Sequence, residues 1–135
     1  MAPDLARWIG LPYADKGRGP DAYDCWGLAR AVLAERGMAL PDYAEAYTRA
    51  ADHDSVAVAV RAGLADGWQP VDKPQAFDLV ILNIAQRPWH CGVMVAPDRF
   101  LHVMPPGPKG QAFSCIERID SPRWARRIEG FYRHD

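Results

Sequence analysis

No two of the three cysteines, Cys25, Cys91 and Cys115, stand at CxxC spacing, and their number is odd. That argues against a disulfide framework and against a zinc knuckle. No stretch approaches the roughly 18 consecutive apolar residues that a membrane-crossing helix needs. The opening residues Met1-Ala2-Pro3-Asp4-Leu5-Ala6-Arg7 lack the apolar core of a secretory signal. The expectation is a chain made in the bacterial cytoplasm without membrane insertion, so that work outside the cell requires a carrier. Charge of either sign is also not in excess. The 16 basic and 17 acidic residues give a formal net charge of -1, which makes no case for nucleic acid or an anionic membrane as a partner. Arginine greatly outnumbers lysine, which reflects genome composition rather than chemistry. There is no internal repeat and no low-complexity block.

What is present is an ordinary globular composition, 49% hydrophobic and 24% charged over 135 residues. A chain of this length buries roughly two-thirds of its unfolded surface and needs no staples. We expect a single domain over residues 1–135. The first half reads as helices: Pro3 to Ile9, Cys25 to Arg36, Asp42 to Ala51, and a fourth capped by Asp54 or Ser55 that runs to Leu64 and ends near Gly67. The second half reads as strands: Phe77 to Asn83, His90 to Ala96, Phe100 to Met104, Phe113 to Ile116 and Ile128 to Tyr132. Pro97-Asp98 marks a hairpin turn between the second and third of these. Helices first and strands afterwards predict an α+β domain, with N-terminal helices packed on an antiparallel sheet.

The segment Tyr23-Asp24-Cys25-Trp26-Gly27-Leu28 places a cysteine where a Gly/Pro-rich loop becomes a helix. Asp24 suits the N-cap and Gly37 the stop. A thiol in the first helical turn lies at the positive end of the helix dipole, which favours thiolate over thiol. Cys25 therefore reads either as a small buried hydrophobe or as a nucleophile awaiting a base. His90 opens an apolar strand, as an edge histidine or as that base. His102 lies inside Phe100-Leu101-His102-Val103-Met104, where an unpaired imidazole would be costly. Together the two histidines make a base and its orienter. This requires both on one face of the hairpin, hence an odd-length loop or a bulge. Cys91 and Cys115 read as core thiols. Cys91, next to His90, must point to the opposite face and is expected to lie outside any site containing His90. His53 with Asp52 and Asp54 reads as a solvated cap rather than a metal cluster, His134 as part of a frayed terminus, and the arginines from Arg118 to Arg133 as a solvated face, with a docking surface for an acidic partner as the alternative.

These residues resemble the NlpC/P60 cysteine peptidases, papain-like cell-wall hydrolases. Tyr23-Asp24-Cys25-Trp26-Gly27-Leu28 is similar to the family's aromatic-Asp-Cys-Ser-Gly-Leu motif. Trp89-His90-Cys91-Gly92-Val93-Met94-Val95 is similar to its His-Val-Gly-Ile-Tyr strand, and Arg99-Phe100-Leu101-His102 to the following Arg-Phe-Ile-His block. The interval from His90 to His102 also matches. Gly10-Leu11-Pro12-Tyr13 and Phe77-Asp78-Leu79-Val80 support the order. The resemblance runs from about Leu5 to Met104.

It implies a papain-like fold with Cys25 as nucleophile, His90 as general base and His102 as its orienter. Tyr13, Asp24 and Trp26 would line the substrate site, with Tyr13 contacting substrate or helping to hold the oxyanion. No metal and no organic cofactor is implied. The substrate would be the peptide stem of bacterial peptidoglycan. Two departures stand out. Trp26 replaces the usual serine, as in a subset associated with phage tail tips and phage-like gene-transfer particles. The loop from Ala14 to Gly19 lacks the Trp-Gly-Gly that often follows the tyrosine. The subset implies a tail hub or baseplate as partner and a particle tail as location. Two other roles suit the same scaffold: a structural tail-hub protein with little hydrolysis, and a cytoplasmic amidase or acyltransferase.

Overall fold

Asp24 starts the principal helix by accepting a hydrogen bond from the Gly27 N–H at 2.7 Å. Helix α1 runs Cys25–Ala34, and its residues Leu28, Ala29, Val32 and Leu33 recur on one buried face. It ends two residues before the expected Arg36. There Gly37 turns left-handed at φ 84° and the Met38 N–H returns to the Leu33 carbonyl. The computed structural model describes residues 5–41, 61, 63–65, 67–84, 87–105 and 113–134.

The helix expected from Pro3 to Ile9 is, within the described residues, a single 3-10 turn at Ala6–Trp8. Gly10, at φ 84°, redirects the chain at once, and Leu11 is then held by the Ser114 hydroxyl. The helix expected at 42–51 lies outside the described residues. Of the fourth, only the end is described, with Arg61, Gly63 and Leu64 helical.

Six strands form one antiparallel sheet in the order β1-β6-β2-β3-β4-β5. They are β1 Trp68–Val71, β2 Leu79–Ile84, β3 Arg87–Ala96, β4 Arg99–His102, β5 Cys115–Arg118 and β6 Ile128–His134. The α+β class and the antiparallel sheet are as expected. β1 was not foreseen. It contains Pro70, and it tolerates a proline because it is an edge strand paired only with β6. His134, expected to fray, pairs with Trp68 in that ladder and packs edge-on to its ring.

The sheet is buried on both sides. On one face Leu79, Ile81, Cys91, Val93 and Leu101 meet the apolar face of α1. On the other Val80, Leu82, Met94 and Phe100 pack against Trp124, which the turn segment 121–127 folds over the sheet. Leu79 to Leu82 are therefore buried without alternation, as a strand covered on both faces should be.

The β3–β4 hairpin carries the bulge that the two histidines require. Met94 faces Phe100, but Ala96 faces Arg99, so Val95 is an extra residue on β3. The added residue changes the parity of the pairing and brings His90 and His102 to the same face. Gly92 lies between them in register. A side chain there would collide with the Phe100 ring at 2.8 Å.

Candidate active site

The loop before α1 is built around backbone contacts that explain its motif. The Asp24 N–H donates to the Gly17 carbonyl, and the Arg18 guanidinium pairs with the Asp24 carboxylate at 2.8 Å. Asp24 is buried, and its Oδ1 serves both Arg18 and the helix N-terminus. Gly27 is needed because a Cβ there would fall 1.9 Å from the Gly17 carbonyl oxygen. This loop delivers Cys25, half-buried, as the first residue of α1. Trp26 donates its indole N–H to the Pro41 carbonyl at 3.1 Å, tying the helix start to the segment that follows α1.

Tyr13 lies within electrostatic reach of Cys25 and Asp24, and its hydroxyl donates to Asp15 at 2.7 Å. Burial first, then that hydrogen bond and the neighbouring negative charges, push its pKa far up, so Tyr13 remains a phenol. The Cys91 side chain lies against Cys25. The contact with Cys25 and the burial of Cys91 raise the Cys91 pKa, so Cys91 keeps its proton. Cys91 is a buried core thiol, as expected. Alternation along β3 does separate it from His90, as expected, but α1 covers the face that carries Cys91.

The histidines form a second constellation on the opposite face of the sheet. His90 Nε2 and His102 Nδ1 are 2.8 Å apart, and His102 Nε2 lies 2.5 Å from Glu117 Oε2. Trp124 donates its indole N–H to the same carboxylate oxygen at 2.8 Å and stacks on the His90 ring. Arg123 stands 3.7 Å from the other carboxylate oxygen.

Burial lowers the pKa of both imidazoles, with the charge of Arg123 in the same direction; Glu117 partly offsets this at His102. The His102 hydrogen bond holds the Glu117 carboxyl low, against the opposing effect of burial. The arrangement is two neutral imidazoles ending on a carboxylate. An ionised Glu117 accepts, so His102 carries its proton on Nε2 and accepts at Nδ1 from His90 Nε2–H. The basic nitrogen of His90 is then Nδ1.

The structure thus gathers Tyr13, Asp24, Cys25 and Trp26 at the start of α1, and pairs His90 with His102 across the sheet from them. Glu117 and Trp124 were not picked out from the sequence. A buried histidine needs a partner, and Glu117 stands one residue beyond the expected strand Phe113 to Ile116. Nothing local marks Trp124. Cys115, expected in the core, is exposed at the edge strand β5. Opposite it on β4 is His102, and the ligand atoms of His102, Cys115 and Glu117 lie within 4.8 Å of one another.

No curated protein matches the chain. Among solved structures it is similar to a protein described as similar to a lipoprotein of the NLP/P60 family from Staphylococcus aureus subsp. aureus Mu50. That match has 24% identity and a TM-score of 0.63, and covers 96% of this chain and 38% of that one. It is similar also to the NlpC/p60 domain of the peptidoglycan hydrolase SagA, at 20% identity and a TM-score of 0.57, over 93% of this chain and 88% of that one. Both likenesses are of fold, the papain-like α+β fold of that family. The sequence pattern of the NlpC/P60 family itself matches residues 10–133, which takes in the helix start at Cys25 and both histidine strands, and the chain therefore belongs to the NlpC/P60 family.

Proposed function

We propose that this protein hydrolyses an amide bond in the peptide stems of bacterial peptidoglycan, with Cys25 as nucleophile. The observation that carries the reading is the half-buried thiol on the first turn of α1, held by the Asp24 cap in a chain of this family. The Cys25 sulfur attacks the stem carbonyl, and the Cys25 N–H at the helix start supports the oxyanion. The C–N bond breaks and the amine leaves with a proton. Water then cleaves the thioester and regenerates the thiol. His90 is the proton carrier in this reading and His102 its orienter, with Tyr13, Asp24 and Trp26 around the bound stem.

Proton transfer between Cys25 and His90 requires His90 to turn towards α1. By family resemblance the bond is of the γ-D-glutamyl–diamino acid type. Trp26 in place of serine supports a place in a phage-like tail tip or baseplate, where the enzyme opens the wall locally.

One observation favours a second reading: with His90 buried across the sheet from Cys25, the fold suits a tail-hub protein that hydrolyses little. Incubation with defined stem peptides separates the two. Turnover by the wild-type protein that disappears in Cys25→Ala and in His90→Gln supports the peptidase. Equal turnover by wild type and Cys25→Ala, or none by either, overturns it. Co-sedimentation with tail particles without turnover supports the hub.

A further inference from the structure

His102, Cys115 and Glu117 converge on one point of the sheet from two adjacent strands. Cys115 is the direct partner of His102 across β4 and β5, and Glu117, two residues further along β5, lies on the same face. Their ligand atoms are within 4.8 Å of one another. We propose that these three side chains bind a divalent transition-metal ion of the zinc type. This goes beyond the hydrolase reading and does not depend on it.

The donor set is one imidazole nitrogen, one thiolate and one carboxylate oxygen, which suits zinc or cobalt and disfavours calcium or magnesium. Thiolate and carboxylate together neutralise the ion. Three protein ligands leave a fourth tetrahedral position, and the exposure of Cys115 opens it to water. A zinc ion among the three donors sets them about 3.5 Å from one another, so His102 Nε2 and Glu117 Oε2 part from 2.5 Å while Cys115 closes in.

Two ligands are already held from behind. His90 contacts His102 Nδ1 at 2.8 Å and so aims Nε2 at the metal point. The Trp124 indole N–H holds Glu117 at 2.8 Å. In the metal-free protein His102 Nε2–H bonds to Glu117. On binding, that nitrogen and that oxygen turn to the ion. The proton on His102 then resides on Nδ1 and is donated to His90 Nε2, whose own proton moves to Nδ1. The histidine pair keeps its proton count, Cys115 gives up its thiol proton, and one proton is released per ion.

The test is a titration of the untagged, chelator-treated chain with cobalt(II), then zinc(II). The expected result is one ion per chain, with the intense visible bands of tetrahedral cobalt and a near-ultraviolet thiolate-to-cobalt band. Cys115→Ser, an exposed position, removes the thiolate band and weakens binding by about 10-fold or more. Glu117→Gln weakens binding but leaves the thiolate band. A protein with both Cys25→Ser and Cys91→Ser keeps the full spectrum. Circular dichroism confirms that each variant is folded. Absence of stoichiometric binding overturns the proposal. So does a thiolate band that survives Cys115→Ser, or one that is lost only with Cys25 and Cys91.

Discussion

The two faces of β3 differ in a way that matters more than their similar burial. The face under α1 carries sulfur: Cys91 beside the half-exposed Cys25. The other face carries a polar chain, His90–His102–Glu117, sealed by Trp124. The first has a half-buried cysteine at a helix start, next to a buried thiol. The second has two buried imidazoles that end on a partly exposed carboxylate. Cys91 and His90 are neighbours in β3 and face opposite sides of the sheet, so the Cys25 thiol and the His90 ring lie on opposite sides as well. The difference teaches that a motif can hold every reactive group while the packing decides which of them meet.

The largest expected effect falls on the sulfur face. If Cys25 is the nucleophile, Cys25→Ala lowers stem-peptide turnover by about 10⁴-fold or more, read by chromatography of the products. Next is the seal on the histidine face. Trp124→Ala empties a fully buried site and destabilises the protein by about 3–5 kcal/mol, measured by denaturant unfolding. The exposed ring of Phe113 replaced by alanine shifts the same transition far less.

The histidine face also predicts a pH dependence. The folded pKa values of His90 and His102 lie below 6.5, chiefly through burial. The unfolded chain therefore takes up protons first as pH falls through about 6.5. Their contribution to stability is complete above that value and is lost below it, at about 1.4 kcal/mol per pH unit for each imidazole still neutral in the fold. Glu117, whose folded pKa is lowered, adds a loss of the same sign only at more acid pH. A urea series from pH 7.5 to 5 should show the decline, and His102→Asn should reduce its slope. A flat profile would contradict the neutral buried pair.

The smallest effect sharpens the contrast between the faces. Cys91→Val removes the S–H donor beside Cys25. If the Cys91 thiol donates to the Cys25 sulfur, a hydrogen bond of about 1 kcal/mol, alkylation of Cys25 by iodoacetamide should slow by about 5-fold, while the pH dependence from the histidines stays unchanged.

Much of this was legible in the residues. Asp24 as the cap of a helix, the stop at Gly37, and the alternation of His90 with Cys91 all follow from chemistry within a few positions. The bulge was legible only as a condition, because whether a turn at Pro97-Asp98 adds a residue depends on the pairing of both strands. β1 escaped because four residues with a proline carry no pattern until β6 lies beside them. Cys115 was misplaced because an apolar neighbourhood in sequence says nothing about the edge of a sheet.

The sequence by itself determined the helix start at Cys25, the α+β class, the order of the family's motifs and the fact that His90 and Cys91 face opposite ways, because these depend on local sterics and periodicity. Only the tertiary structure decided that α1 covers the Cys91 side, that Trp124 and Glu117 close over the histidines, and that Cys115 meets His102. β3 is apolar enough on both faces to be buried on either, so the choice rested on which distant segments packed there.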